Sequence, residues 1–81
     1  MYYYVYLLRS IKNPDKTYIG FTNNVKERLA RHNAGRSIHT AENKPWHLVT
    51  FIGFDTEQKA TEFEKYLKVG SGNAFAKKRL L

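Results

Sequence analysis

Two segments of this chain carry apolar stripes at helical spacing, and charge breaks each stripe: Val25, Arg28, Leu29, His32 in one and Ala60, Phe63, Glu64, Leu67 in the other. Both sets follow the i, i+3, i+4, i+7 pattern that turns four side chains to one helix face. An ionised group facing a packed core is strongly destabilising unless it is paired or solvated. The pattern therefore predicts two helices laid on a sheet, with a wet cleft cutting into the contact where Arg28, His32 and Glu64 converge.

Length limits what such a cleft can serve. A chain of 81 residues supports one domain over 1–81 with one modest core, and leaves no room for a separate specificity domain. The absence of cysteine excludes disulfides and thiolate zinc sites. No segment approaches the roughly 18 consecutive apolar residues of a membrane span, and Met1 leads into a tyrosine-rich stretch without a basic leader. The expectation is a cytoplasmic protein with no membrane partner. Lysine and arginine number 14 against 7 acidic residues, a formal charge of +7, which favours a polyanionic partner. Lys26, Arg28, Arg31 and Arg36 bracket the first helix, while Lys77, Lys78 and Arg79 close the chain. If both clusters face one side, they track phosphates; the bland alternative is a solvated basic surface.

The elements follow from local pattern. Tyr2 to Arg9 is dense in aromatic and β-branched residues on both faces and reads as a central strand. Asn-Pro-Asp centres a turn over residues 11–16, and Thr17 to Thr22 pairs back as a hairpin. Asn23 or Asn24 caps the first helix, which runs to about Asn33 and stops at Gly35. Arg36 to Pro45 is a polar loop without periodicity. Trp46 to Phe54 alternates as a third strand, expected to be covered on both sides. Asp55 starts the second helix, with Gln58 completing a capping box. That helix ends near Gly70, and Asn73 to Leu81 forms a short terminal helix. The order ββαβαα describes an α+β domain with a small three-stranded, mainly antiparallel sheet flanked by helices.

Within this frame Tyr4-Val5-Tyr6-Leu7-Leu8, Tyr18-Ile19-Gly20, Arg28 with His32 four residues on, and Glu64 in a later helix resemble the GIY-YIG nuclease superfamily, with small stand-alone bacterial members as the nearest pattern. The similarity extends through His32-Asn33, Gly35, Thr40, Pro45-Trp46 and Ser71-Gly72. It implies a metal-dependent endonuclease domain. Tyr6 and Tyr18 match the tyrosines of the two named motifs, one of which activates water. Arg28 matches the arginine that stabilises charge on the scissile phosphate, His32 a nearby assisting position, and Glu64 the single metal-binding carboxylate. Asn73 matches a late polar residue, at a shorter separation from Glu64 than is usual. Two departures stand out: Phe21 occupies a position held by lysine in some members, and Tyr4 replaces the glycine of the first motif.

The chemistry is consistent on its own terms. Phosphodiester hydrolysis needs an activated water and positive charge aimed at the phosphoryl oxygens. Arg28 offers a planar fork of donors suited to phosphate. Glu64 suits Mg²⁺ or Mn²⁺, hard cations commonly held by one or two carboxylates together with water and substrate phosphates. Tyr6 is assigned as base or relay and Tyr18 as its orienting partner. Lys26, Arg31, Arg36, Asn73, Lys77 and Lys78 are the candidate DNA contacts, on branched, damaged or single-stranded substrates. A homodimer is one arrangement that would cut both strands. Three competing assignments stay open: an inactive nucleic-acid-binding module of the same fold, a protein-interaction adaptor, and a purely structural use of the polar residues. In the last, Arg28 and Glu64 pair across the helices and His32 caps its own helix end.

Overall fold

The computed structural model describes residues Met1–Leu81. A three-stranded sheet has the order β2-β1-β3, formed by β1 (Tyr3–Ser10), β2 (Thr17–Thr22) and β3 (Trp46–Phe54). Both pairings are antiparallel. Three helices, α1 (Val25–Asn33), α2 (Glu57–Lys68) and α3 (Gly70–Phe75), complete the fold, with a closing π-helical turn over Ala76–Leu80. The α+β class and the central place of β1 match the sequence reading.

Alternation along β1 separates two cores. Val5 and Leu7 join Ile19, Ala60, Leu67 and Ala76 on the face covered by α2 and the closing turn. Tyr6 and Leu8 join Trp46, with Val25, Leu29, Leu48 and Tyr18 packed against them, on the face covered by α1. Each fully buried Val or Leu side chain contributes about 1.5–3 kcal/mol relative to exposure, so β1, buried on both faces, anchors the fold. No helix is long and apolar enough to cross a membrane.

The structure corrects the sequence reading of β3. This strand lies at the sheet edge, and Phe51 is 51% exposed, so it is not covered on both sides. Its apparent alternation also hides a bulge. Leu48 pairs with Leu8 but Thr50 pairs with Leu7, leaving Val49 as the extra residue. A bulge of this kind swaps the face on which later residues lie. Trp46 and Leu48 therefore serve the α1 core, whereas Phe54 serves the other.

Capping also departs in part. Asn24 caps α1 through its side chain, which accepts from Glu27 N, and the helix ends where Gly35 turns to φ +77°. There the Arg36 N–H bonds Arg31 O and the Gly35 N–H bonds His32 O, both at 3.1 Å, a Schellman closure that needs a left-handed residue. For α2 the cap is Thr56, whose hydroxyl accepts from Lys59 N at 3.2 Å. Asp55 instead pairs with Lys59 at 2.9 Å, and Gln58 reaches Glu62, so the expected box does not form. The terminal helix begins at Gly70, earlier than expected, after Val69 breaks α2 in an extended conformation. The segment after Arg36 is not featureless, since it contains a short 3₁₀ turn over Ala41–Asn43.

Candidate active site

Tyr6 sits in β1 directly opposite Gly20 in β2. A Cβ on Gly20 would run into the Tyr6 Oη and Cζ and come within 2.9 Å of Tyr18 Cε2. The missing side chain is what lets the Tyr6 ring lie across its neighbour strand and point its hydroxyl toward α1. Tyr18, partly buried, stands beside it, with ring centroids 6.2 Å apart.

His32, on the last turn of α1, closes this arrangement. It is only 2% exposed. Its Nε2 lies 2.8 Å from Tyr6 Oη and its Nδ1 lies 2.7 Å from Thr40 Oγ1, so both ring nitrogens are engaged inside the fold. His32 thus does not act as a helix-end cap. Burial, together with the charges of Arg28 and Arg31, holds its imidazole below the ordinary 6.5. A neutral ring is the resting state at physiological pH.

Burial likewise pushes the Tyr6 phenol up to about 12. The neighbouring Tyr18 and the carboxylate of Glu64 add to that rise, while the Arg28 guanidinium pulls the other way. Arg28 and Glu64 thus shift the Tyr6 phenol in opposite directions. They do not pair with each other as the purely structural alternative required. Glu64, with 19% of its side chain exposed, holds Lys68 at 2.8 Å, and Arg28 donates from Nη1 to Phe21 O at 3.4 Å. The Arg28 Nε is buried with no partner. Such an orphaned donor is costly, and its guanidinium has unused capacity for an anion.

Outside this group a recess of about 250 Å³ is lined by Tyr18, Arg28, Arg31, His32, Arg36 and Ser37. Its wall carries three arginines and one apolar residue, a composition suited to anions. A second recess of about 230 Å³ shares Arg28 as a wall and is lined also by Tyr3, Phe21, Thr22, Asn23 and Glu57.

The fold therefore joins Tyr6 to His32 and Tyr18 and sets Tyr18, His32, Arg28, Arg31 and Arg36 around one recess, whereas Glu64, on α2, lines none of the recesses. It does not gather the remaining sequence candidates. Lys26 is exposed and lines neither recess. Asn73 directs its side-chain amide to Leu67 O at 3.2 Å. Lys77 lines a separate recess with Arg9, Asp15, Thr17 and Leu81, and Lys78 is exposed on the closing turn. Sequence reasoning gave no role to Thr40, which is 1% exposed, or to Asn33, whose amide clamps the Trp46 backbone through bonds of 2.6 and 3.0 Å. Both lie within the stretch of motif similarity, but a polar side chain in or before an aperiodic loop carries no signal of burial.

No group of three or more His, Cys, Asp or Glu side chains gathers as a ready-made metal cage. The donor set still suits a hard divalent cation held by one carboxylate, with water and substrate oxygens as the other ligands. Glu64 is the residue here that fits that part, and Lys68 shows that its carboxylate already attracts a cation.

The α+β sheet and the phenol–imidazole–guanidinium cluster belong to a recognisable class of catalytic domain. Residues 2–78 match the GIY-YIG catalytic domain, and the chain belongs to that family. Its similarity to a structure-specific endonuclease subunit SLX1 homolog of Giardia intestinalis is 40% identity over 65 residues, covering 75% of this chain and 18% of that protein. The SLX1 subunit of Candida dubliniensis is 38% identical over 74 residues, 83% of this chain and 26% of that protein. The chain thus spans about a quarter or less of these relatives' length. A solution structure of a UPF0213 protein from Bacillus halodurans superposes with a TM-score of 0.57 at 24% identity, covering 99% of this chain and 87% of that one, which supports the fold alone.

Proposed function

We propose that this chain is a divalent-metal-dependent endonuclease that hydrolyses DNA phosphodiester bonds and selects flapped, branched or single-stranded substrates by structure rather than by sequence. The observation that carries this reading is the Tyr6–His32 hydrogen bond of 2.8 Å beside a recess walled by Arg28, Arg31 and Arg36. Family membership supports it, and the relatives named structure-specific endonuclease subunits favour selection by shape.

The elevated phenol decides how water is activated. With Tyr6 at about 12, a standing phenolate at pH 7 costs about 7 kcal/mol. A relay avoids that intermediate. As water attacks phosphorus, its proton passes to Tyr6 Oη while the phenol proton passes to His32 Nε2, giving an imidazolium. The bond from phosphorus to the leaving oxygen breaks, and that oxygen takes its proton from solvent. Arg28 neutralises charge accumulating on the phosphoryl oxygens. A bound phosphate also offsets the Arg28 and Arg31 charges that otherwise disfavour a protonated His32. Glu64 would hold Mg²⁺ or Mn²⁺, which when bound supplies Lewis-acid stabilisation of the same oxygens. Arg31 and Arg36 seat the flanking backbone.

The test is a cleavage assay on duplex, flapped, branched and single-stranded oligonucleotides with and without Mg²⁺ or Mn²⁺. Metal-dependent cutting of at least one non-duplex substrate, lost in Arg28→Ala with the fold intact by circular dichroism, is the expected result. Salt-sensitive binding without cutting under any metal would leave the inactive binding module as the function.

A further inference from the structure

Thr40 holds the second nitrogen of His32, and we infer that it is a positioning residue whose hydroxyl fixes His32 in the Nδ1–H form, so that Nε2 is free to receive the Tyr6 proton. This rests on the relay reading above but concerns a different residue and a different observable. Three polar hydrogens must be accommodated in a nearly dry space: those of Tyr6 Oη, of the neutral imidazole and of Thr40 Oγ1. Tyr6, His32 and Thr40 are 1%, 2% and 1% exposed.

Only one orientation gives each hydrogen a recorded acceptor. Thr40 Oγ1 donates to Ser37 O at 3.4 Å, His32 Nδ1–H donates to Thr40 Oγ1 at 2.7 Å, and Tyr6 Oη donates to His32 Nε2 at 2.8 Å. The reverse tautomer would aim the Nε2 hydrogen at Tyr6 and leave the buried phenol proton without a protein acceptor, a loss comparable to a broken buried hydrogen bond. The ordering also gives the proton a direction, from Tyr6 to His32. Once protonated, the imidazolium keeps its Nδ1–H bond to Thr40. An oriented neighbour that selects the imidazole tautomer is a recurrent device where histidine moves protons.

The loop carrying Thr40 is built to hold it still. Ser37 O also receives the Thr40 and Ala41 N–H groups at 3.1 and 2.9 Å. Thr40 O accepts from Trp46 Nε1 at 2.8 Å, and Asn33 fixes the Trp46 backbone in turn. Ser37 itself lines the arginine recess, so the terminal acceptor of the chain belongs to a residue of that wall.

The experiment is ¹⁵N NMR of the imidazole in the parent, Thr40→Val and Thr40→Ser, paired with single-turnover cleavage and substrate affinity measured in EDTA. The parent is expected to show a neutral Nδ1–H ring. In Thr40→Val, which lacks the acceptor, the ring shifts toward Nε2–H and the cleavage rate falls about 10- to 100-fold with affinity unchanged. Thr40→Ser restores both the tautomer and the rate. A parent ring already in the Nε2–H form, or a Thr40→Val variant that keeps the Nδ1–H form, overturns the inference. Both observations read the ring directly, so they stand apart from whether Tyr6 and His32 relay protons at all. Should Thr40→Val merely unfold, Thr40→Ser and the parent tautomer still decide.

Discussion

The two halves of the candidate site are built on opposite principles. On one side Tyr6, His32 and Thr40 are almost wholly buried and joined by bonds of 2.8 and 2.7 Å. That half is complete without any ligand. On the other side Glu64 is partly open and paired to a mobile-stemmed lysine, the Arg28 Nε has no partner, and the arginines line an open recess. That half keeps unpaired donors and charge at an open surface. The comparison teaches that the hydrogen-bonded half is fixed by packing within the fold, whereas the charged half is left with groups that the fold alone does not satisfy.

Substitutions sharpen this contrast. The largest effects are on cleavage: Glu64→Ala and His32→Ala are each expected to reduce the rate at least about 100-fold, the scale on which electrostatic and proton-transfer groups act. Stability separates them. Glu64→Ala should leave the urea midpoint close to that of the parent, because its ion pair is partly solvated and such pairs contribute about 0–1 kcal/mol. His32→Ala leaves a cavity and strips Tyr6 and Thr40 of partners, for a loss of about 2–5 kcal/mol. Equal stability losses in the two variants would dissolve the distinction between a closed and an open half.

Gly20→Ala probes the closed half from the opposite strand. The added methyl collides with the Tyr6 hydroxyl end, so a destabilisation of about 1–3 kcal/mol is expected, with the Tyr6–His32 bond displaced and cleavage reduced. Unfolding midpoints and rates check it. An unchanged rate would show that the phenol need not lie over β2.

Stability against pH reads the same half from both ends. His32 is held below its ordinary 6.5, so the unfolded chain takes up this proton first. Its contribution is intact above pH about 6.5 and is lost as pH falls below that value. Tyr6 is raised to about 12 from 10.0. Its contribution is intact below pH 10 and disappears as pH climbs to about 12, for at most about 3 kcal/mol. Urea titrations of parent and Tyr6→Phe separate the alkaline loss from general base denaturation; an identical alkaline slope in both would remove Tyr6 as its source.

The smallest effects belong to the basic rim. Arg31→Ala and Arg36→Ala should each weaken DNA binding and lower the log–log salt slope by about 1. Lys77→Ala and Lys78→Ala, away from the recess, should do less. The reverse ranking would relocate the DNA track to the closing turn.

Much of this architecture was legible beforehand, for identifiable reasons. Charge interrupting the helical stripes marked Arg28, His32 and Glu64, since buried ionised groups need a reason to be there. The aromatic density of Tyr2 to Arg9 marked the central strand. The bulge at Val49 was not legible, because a bulge leaves sequence alternation intact and changes only which face the later residues take. Thr56 rather than Asp55 caps α2, because the pattern offers two adjacent good capping residues and Asp55 is taken up by the Lys59 ammonium. Thr40 and the 3₁₀ turn after it escaped because short polar segments have no periodicity to betray burial. Their order comes from long-range partners, namely His32 and Trp46.

Single-turnover cleavage of a flapped oligonucleotide by Tyr6→Phe, at saturating Mg²⁺, tests the central claim most directly. The substitution removes one oxygen and keeps the ring over Gly20. The account predicts a rate at least about 100-fold below the parent with DNA affinity retained. A variant that cuts at the parental rate would contradict it, because water would then be activated without the phenol.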